Sequence, residues 1–235
     1  LAAQPVVEVV EVVDDAGNTL TLQRPAQRIV SLSPHGTELL FAAGAGDKVV
    51  GAVSYSDYPP AAEEISRVGG FKSLDYERIL ALRPDLVIGW QSGNGPQALQ
   101  RLRSLGLPVY ESEPKAIADI PRTIERLGVL AGTPEAADVA ATAFRNKHAE
   151  LRARFSGQRP VATFYQIWNR PLMTVNGEHV ISQVIERCGG RNVFADLGPL
   201  AATVDVEAVL KAQPEVIVAS GMGEERPDWL DDWRR

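Results

Sequence analysis

The sequence predicts an α/β fold: two Rossmann-like lobes bridged by one long α-helix, with a ligand cleft between the lobes. Three observations predict it. Short apolar strands alternate with helical segments from residue 28 onward, one long helical period spans 134–156, and a fifteen-residue segment recurs on either side of it. Strands that alternate with helices imply βαβ units and a parallel sheet. The domain boundaries that follow are a hairpin extension at 1–27, a first lobe at 28–133, a bridging helix at 134–156 and a second lobe at 157–235.

Residues 6–13 (VVEVVEVV) and Thr19–Leu22 are two β-rich runs around an Asp/Gly/Asn turn at 14–18, which reads as a hairpin ended by Pro25. Arg28–Ser33 is a buried-type strand, Thr37–Ala43 a short helix stopped by Gly44 and Gly46, and Lys48–Ser54 the next strand. Asp75–Leu82 is a helix closed by Pro84, Asp85–Trp90 a strand, Pro96–Leu105 a helix and Leu107–Glu111 a strand. Across 134–156, Ala137, Ala140, Ala141, Phe144, His148, Leu151 and Phe155 recur at helical spacing, and Glu135, Arg152 and Arg154 complement the helix dipole. A helix of about 23 residues runs ~34 Å, long for a crossover and suited to a strut. The alternation then restarts: Val161–Ile167 is a strand, Val180–Arg187 a helix stopped by Gly189 and Gly190, Val206–Ala212 a helix, and Glu215–Ala219 a strand.

The recurring segment is Leu74–Ile88 (LDYERILALRPDLVI), matched by Val204–Val218 (VDVEAVLKAQPEVIV) at a constant offset of 130. Asp75 and Asp205 fall at N-cap positions, and Glu77 and Glu207 in first turns. A gapless repeat on both sides of a long helix predicts two similar lobes. An acid at a helix start is favourable by about a few tenths of a kcal/mol whatever else it does. One such acid on each lobe also makes a two-point docking surface. Spacing alone leaves both readings open.

Composition excludes more than it suggests. The 235 residues are 45% hydrophobic and 23% charged, ordinary for a globular chain, and the net charge of −6 argues against nucleic acid as a partner. Cys188 is the only cysteine, so no internal disulfide forms, and three histidines beside it make a His/Cys metal cage unexpected. No apolar run approaches the ~18 residues of a membrane span. There is no nucleophile elbow, H-E-x-x-H or phosphate-cradling loop, so no enzyme, catalytic residue, metal or catalytic cofactor is expected. Cys188 is expected in the core, His148 to pack on the long helix's apolar stripe, and His179 to be exposed. The opening Leu1-Ala2-Ala3-Gln4 fits the tail of a cleaved export signal as well as a boundary set by cloning.

The candidate site rests on aromatics. Tyr55 follows Lys48–Ser54, Trp90 ends its strand, Trp168 follows Val161–Ile167, Tyr58 and Phe71 lie in loops, and His35 follows the first strand directly. Parallel sheets bind ligands outside the carboxyl ends of their strands, where aromatics would wall a cleft for a large, partly apolar ligand. Each ring could equally cap its own lobe's core, and His35 could serve loop structure.

Arg28–Leu40 (RIVSLSPHGTELL), Val53–Pro60 (VSYSDYPP), Tyr76–Trp90 (YERILALRPDLVIGW) and Gln183–Phe194 (QVIERCGGRNVF) together resemble the periplasmic vitamin B12-binding proteins of cobalamin ABC importers. These lie within the helical-backbone substrate-binding proteins, which also carry haem and ferric siderophores. The resemblance covers nearly the whole chain from Arg28. It implies two lobes bridged by one helix, a ligand in the cleft, and Tyr55, Phe71 and Trp90 facing the corrin; the family has Trp where this chain has Phe71. It implies that Glu77 and Glu207 dock on arginines of an ABC permease dimer in the inner membrane, and so favours the docking reading over a purely local role. Met173 falls where the family carries a pocket Phe and Ala201 where it carries a Trp; Trp168 is the candidate to compensate. The chain stops at Arg235, short of the family's closing strand and helix, so the second lobe is expected to be incomplete.

The expectation is a periplasmic, monomeric carrier that captures cobalamin and delivers it to a permease, its candidate ligand-binding residues being Tyr55, Phe71, Trp90, Trp168, Met173 and His35. The alternative is a haem or ferric-siderophore receptor of the same architecture. Haem receptors of this class tend to carry an iron-ligating Tyr near position 71, where Phe71 cannot ligate, and siderophore receptors need basic residues where this chain has aromatics.

Overall fold

In the computed structural model, which describes residues 9–155, 157–219 and 229–234, the valine-rich start of the chain forms the expected hairpin. Residues 1–4, residues 6–8 of the first run and Ser156 at the end of the expected long helix lie outside the described residues. β1 (Val10–Val13) pairs antiparallel with β2 (Thr19–Leu22). Val10, Val12 and Leu22 are buried and join the core, so the hairpin is built into the first unit. The contacts divide the chain into two compact units, 1–114 with 118–145 and 115–117 with 146–235.

The first unit continues through β3 (Ile29–Ser31), α1 (Pro34–Ala42), β4 (Val49–Ala52), β5 (Gly69–Gly70), β6 (Ser73–Leu74), α2 (Tyr76–Ala81) and β7 (Leu86–Trp90). It then runs through α3 (Gln91–Asn94), α4 (Pro96–Ser104), β8 (Val109–Ser112), α5 (Asp119–Ala131) and the first half of α6 (Pro134–Phe155). Four strands form a parallel sheet in the order β4-β3-β7-β8. The chain leaves β3 to one side for β4 and reaches β7 on the other, which makes the carboxyl end of β3 a topological switch point. Ile29, Leu86 and Ile88 are fully buried against α5's Leu127 and Leu130, each such side chain stabilising by roughly 1.5–3 kcal/mol. On the outer edge of β8 the hairpin turn is pinned: Asp14 accepts from the Glu111 N–H at 3.3 Å, and Asp15 from the Glu113 N–H at 2.8 Å and from Arg126 at 2.8 Å.

α1 starts at Pro34, three residues earlier than the sequence suggests, because the Ser33 hydroxyl accepts from the Gly36 N–H and Pro34 suits the first helical position. His35 therefore sits in a helical turn and not in a loop. α5 is an element the sequence reading did not supply. The division between the units falls inside α6, between Arg145 and Asn146.

The second unit holds β9 (Val161–Gln166), β10 (Met173–Val175), α7 (Val180–Arg187), β11 (Gly190–Asn192), β12 (Ala201–Thr203), α8 (Val206–Ala212) and β13 (Val216–Ala219). Its parallel sheet has the order β11-β9-β13, so β9 occupies the place of β3, with β11 and β13 corresponding to β4 and β7. β10 and β12 pair antiparallel. The matched strands β7 and β13 have different surroundings: β7 is buried between β3 and β8, whereas β13 pairs with β9 alone among the described residues and leaves Val216 43% and Val218 41% exposed.

Two expectations are corrected here. Cys188 is exposed: it is the C-cap of α7 and, six residues past the buried Ser182, points about 240° round the helix from it. His179 is half-buried, because it is the N-cap of α7 and its Nδ1 accepts from the Ile181 N–H at 3.1 Å. His148 is likewise half-buried on α6, in line with packing.

Candidate functional site

The parallel sheet of the first unit brings the carboxyl ends of β3, β4, β7 and β8 to one edge. His35 lies just beyond β3, Tyr55 beyond β4, Trp90 ends β7, and Phe71 occupies the tight turn between β5 and β6. Trp90 is the centre. The Phe71 ring lies 5.3 Å from it at 47°, and the His35 ring meets it edge-on at 5.3 Å and 84°. All three are half-buried, so they form a ring cluster with open faces. Burial holds the His35 pKa below its ordinary value, against the opposing pull of the Glu113 and Asp15 carboxylates, which favours a neutral imidazole at neutral pH.

The backbone around the cluster is fixed by polar contacts. The Asn94 side chain accepts from the Trp90 N–H at 2.7 Å and donates to the carbonyls of Leu32 at 3.0 Å and Phe71 at 2.8 Å. Glu113 accepts from the Ser92 N–H at 2.7 Å and its hydroxyl at 3.1 Å, which ties α3 to the end of β8. Gly93 is required by the indole: a Cβ there would lie 2.0 Å from Cε3 of Trp90.

Tyr55 is 72% exposed and has φ 66°, a left-handed conformation that costs a tyrosine ~1–3 kcal/mol. Its neighbours hold it there. Ser54 donates to Gly69 O through both its N–H and hydroxyl, Thr37 donates to the Ser56 hydroxyl at 3.1 Å, and Arg67 donates to Ser56 O at 3.1 Å.

The second unit carries a separate group. Trp168 and Met173 face each other across an antiparallel bridge that follows β9, with the Met173 N–H donating to Trp168 O at 3.0 Å. Trp168 is 43% exposed, its indole N–H donates to Arg170 O, and its ring meets Trp229 edge-on at 5.7 Å. Ala201 stands opposite Val175 in β12.

Glu77 and Glu207 are both exposed in the first turns of α2 and α8. The helices start alike: Asp75 accepts from the Arg78 N–H at 2.9 Å and Asp205 from the Ala208 N–H at 2.7 Å. Ile79 and Val209, again 130 apart, are the buried residue of each helix.

Asn94, Gly93 and Trp229 are absent from the sequence-based candidates. Asn94-Gly95 reads as turn punctuation, so nothing in the sequence marks the amide as a tertiary contact. Among the described residues no cluster of His, Cys, Asp or Glu could hold a metal ion, and no helix is long and apolar enough to cross a membrane. The site offers aromatic faces and backbone-anchored loops, which suit a large ligand with apolar faces held without covalent chemistry.

Comparison with known proteins gives the family. A family profile described as periplasmic binding protein matches residues 29–233. The vitamin B12-binding protein of Vibrio cholerae serotype O1 is 43% identical over 196 residues, 83% of this chain and 71% of that protein. The crystal structure of the periplasmic vitamin B12-binding protein BtuF of Vibrio cholerae matches with TM-score 0.78 and 43% identity, covering 83% of this chain and 77% of that one. The periplasmic heme-binding protein RhuT from Roseiflexus sp. RS-1 in apo form matches with TM-score 0.71 and 27% identity, covering 83% and 76%.

Proposed function

The chain belongs to the periplasmic binding protein family, and on that premise we propose that it captures cobalamin in the periplasm and delivers it to an ABC transporter permease. It is a binding protein and not an enzyme. The observation that carries the ligand is the Phe71–Trp90 pair at the carboxyl edge of the first unit's sheet. A corrin is a broad macrocycle with apolar faces and an amide-rich rim, and half-buried rings with open faces supply contact area without charge. Phe71 stands where an iron-ligating side chain would be needed for haem, and a phenyl ring has no lone pair to give. Tyr55, held in its strained conformation, belongs to the same wall, and His35 and Trp90 support it; Trp168 and Met173 supply ligand contact from the second unit. Glu77 and Glu207 are the docking acids for the permease. The protein acts as a monomeric carrier with no resident cofactor; cobalamin is its cargo.

Titration calorimetry with cyanocobalamin and with haemin tests this reading. Saturable binding of cyanocobalamin with an affinity well above that for haemin is expected, and a preference for haemin sinks it.

A further inference from the structure

Asn94 uses both N–H donors of its amide and one lone pair of its oxygen within the protein. One carboxamide has one oxygen and two N–H donors. Its oxygen takes the Trp90 N–H, and its nitrogen serves two carbonyls from segments far apart in sequence, Leu32 at the end of β3 and Phe71 in the β5–β6 turn. The partners fix which end is nitrogen, since a backbone N–H must meet oxygen and two carbonyls must meet N–H groups. No other residue type offers this set at this length: a carboxylate lacks the donors, and an alanine lacks both functions. The three tied segments are those that carry the ring cluster, because Leu32 leads into Ser33 and His35. Gly93, next in the chain, leaves room for the indole, so one side of Trp90 is set by a missing Cβ and its backbone by a neighbouring amide.

We propose that Asn94 is the positioning residue of the ligand site, a single amide that sets the spacing of Phe71 and Trp90 and so the face presented to the corrin. The proposal rests on the cobalamin reading for its ligand, and its geometric content is independent of that ligand. The effect of Asn94 passes through the two rings.

The test uses Asn94→Asp and Asn94→Ala in the full chain. An ionised carboxyl still accepts from the Trp90 N–H but turns oxygen toward two carbonyls. Once protonated, it donates to one of them. Cyanocobalamin affinity of Asn94→Asp is expected to fall about tenfold relative to wild type near pH 8 and to return within about threefold near pH 4, where an ordinary aspartate is about half protonated. Asn94→Ala is expected to lose about tenfold at both. His35 from α1, Lys72 beside the Phe71 ring, Glu113 from the end of β8 and Asp15 from the hairpin turn are the titratable groups that act on the cluster, and all are retained, so each variant is referenced to wild type at the same pH. A second readout needs no ligand. In 5-fluorotryptophan protein, the fluorine resonance assigned to Trp90 by its loss in Trp90→Phe is expected to shift in Asn94→Asp at the higher pH and return at the lower, while the other indole resonances stay fixed. A Trp90 resonance unmoved in both variants overturns the proposal, as does an affinity loss in Asn94→Asp that equals that of Asn94→Ala at both pH values. Wild-type protein that ignores cyanocobalamin while the Trp90 resonance behaves as expected refutes the ligand reading and upholds the positioning role.

Discussion

Phe71 and Trp90 illustrate how a residue's backbone setting decides what its side chain can do. Both rings would bury readily in a core, yet each is left half-open because its backbone is tied elsewhere, Phe71 in a two-residue turn and Trp90 at the last position of β7. Tyr55 shows the same trade more sharply, since a strained φ is retained at an exposed ring and held by Ser54, Ser56 and their partners. If Phe71 supplies corrin contact, its loss removes the burial of one aromatic face, worth roughly 1.5–3 kcal/mol. Phe71→Ala is therefore expected to weaken cyanocobalamin binding about 10- to 100-fold, whereas Phe71→Trp, which keeps the aromatic face, should stay near wild type in the same calorimetric titration. Equal affinities for Phe71→Ala and wild type would remove Phe71 from the site. The sequence makes these rings visible because Trp and Tyr at strand ends stand out against an otherwise ordinary composition. It hides Asn94, whose three partners become neighbours only after β3, β7 and the β5–β6 turn are assembled.

At the scale of elements the repeat goes further than the matched letters. Each helix is capped by an aspartate, buries one aliphatic residue, and is followed by a residue of positive φ, Arg83 at 48° and Gln213 at 46°. Each following strand is led by an acid that binds the start of its neighbour: Asp85 accepts from the Arg28 N–H at 2.8 Å, and Glu215 accepts from the Ala162 N–H at 3.1 Å and pairs with Arg159 at 2.7 Å. Those two partners hold the Glu215 carboxyl down to about 2, the Arg159 hydrogen bond being the larger cause. Equivalent caps should have equivalent energies. Asp75→Ala and Asp205→Ala are each expected to lower the local opening free energy of α2 and α8 by about 1 kcal/mol, with Ser at either site restoring most of it. Native-state amide hydrogen exchange reads this helix by helix, and a cost confined to one unit would contradict functional equivalence of the caps. The elements legible in the sequence are those with clear punctuation: the Asp cap and Pro stop of α2, the Gly stop of α7, the turn of the hairpin. α5 did not come out of the sequence reading, because Pro121 in its first turn and Gly128 inside it read as breaks, although its stability comes from packing Ile124, Leu127 and Leu130 into the core with α1, β1, β3 and β7. β10, β11 and β12 have three residues each, too few for a period to show.

For the whole molecule, the repeat places one exposed acid on each unit at the same step of the same motif. Within either unit alone, Glu77 or Glu207 is explained by the dipole of its own helix, at about a few tenths of a kcal/mol. The rest of the two helices is less alike: Tyr76 stands against Val206, Arg78 against Ala208 and Ala81 against Lys211. What persists between the units is the cap, the glutamate, the buried aliphatic, an exposed leucine (Leu80 and Leu210), the proline stop and the strand-leading acid; of these the glutamate and the leucine are exposed, and only the glutamate brings charge. A partner with basic groups presented twice would read such a chain through both units, and exposed charge pairs of this kind act chiefly on orientation and association rate. Glu77→Ala with Glu207→Ala is therefore expected to leave cyanocobalamin affinity and thermal stability close to wild type. It should slow association with the cognate permease about tenfold at low salt, the difference narrowing as ionic strength shortens the Debye length to ~8 Å at 0.15 M. Surface plasmon resonance against the immobilised permease at two salt concentrations separates the outcomes: a salt-dependent loss in the association phase supports docking through the two glutamates, and association unchanged in the double variant leaves them as helix-start acids and nothing more.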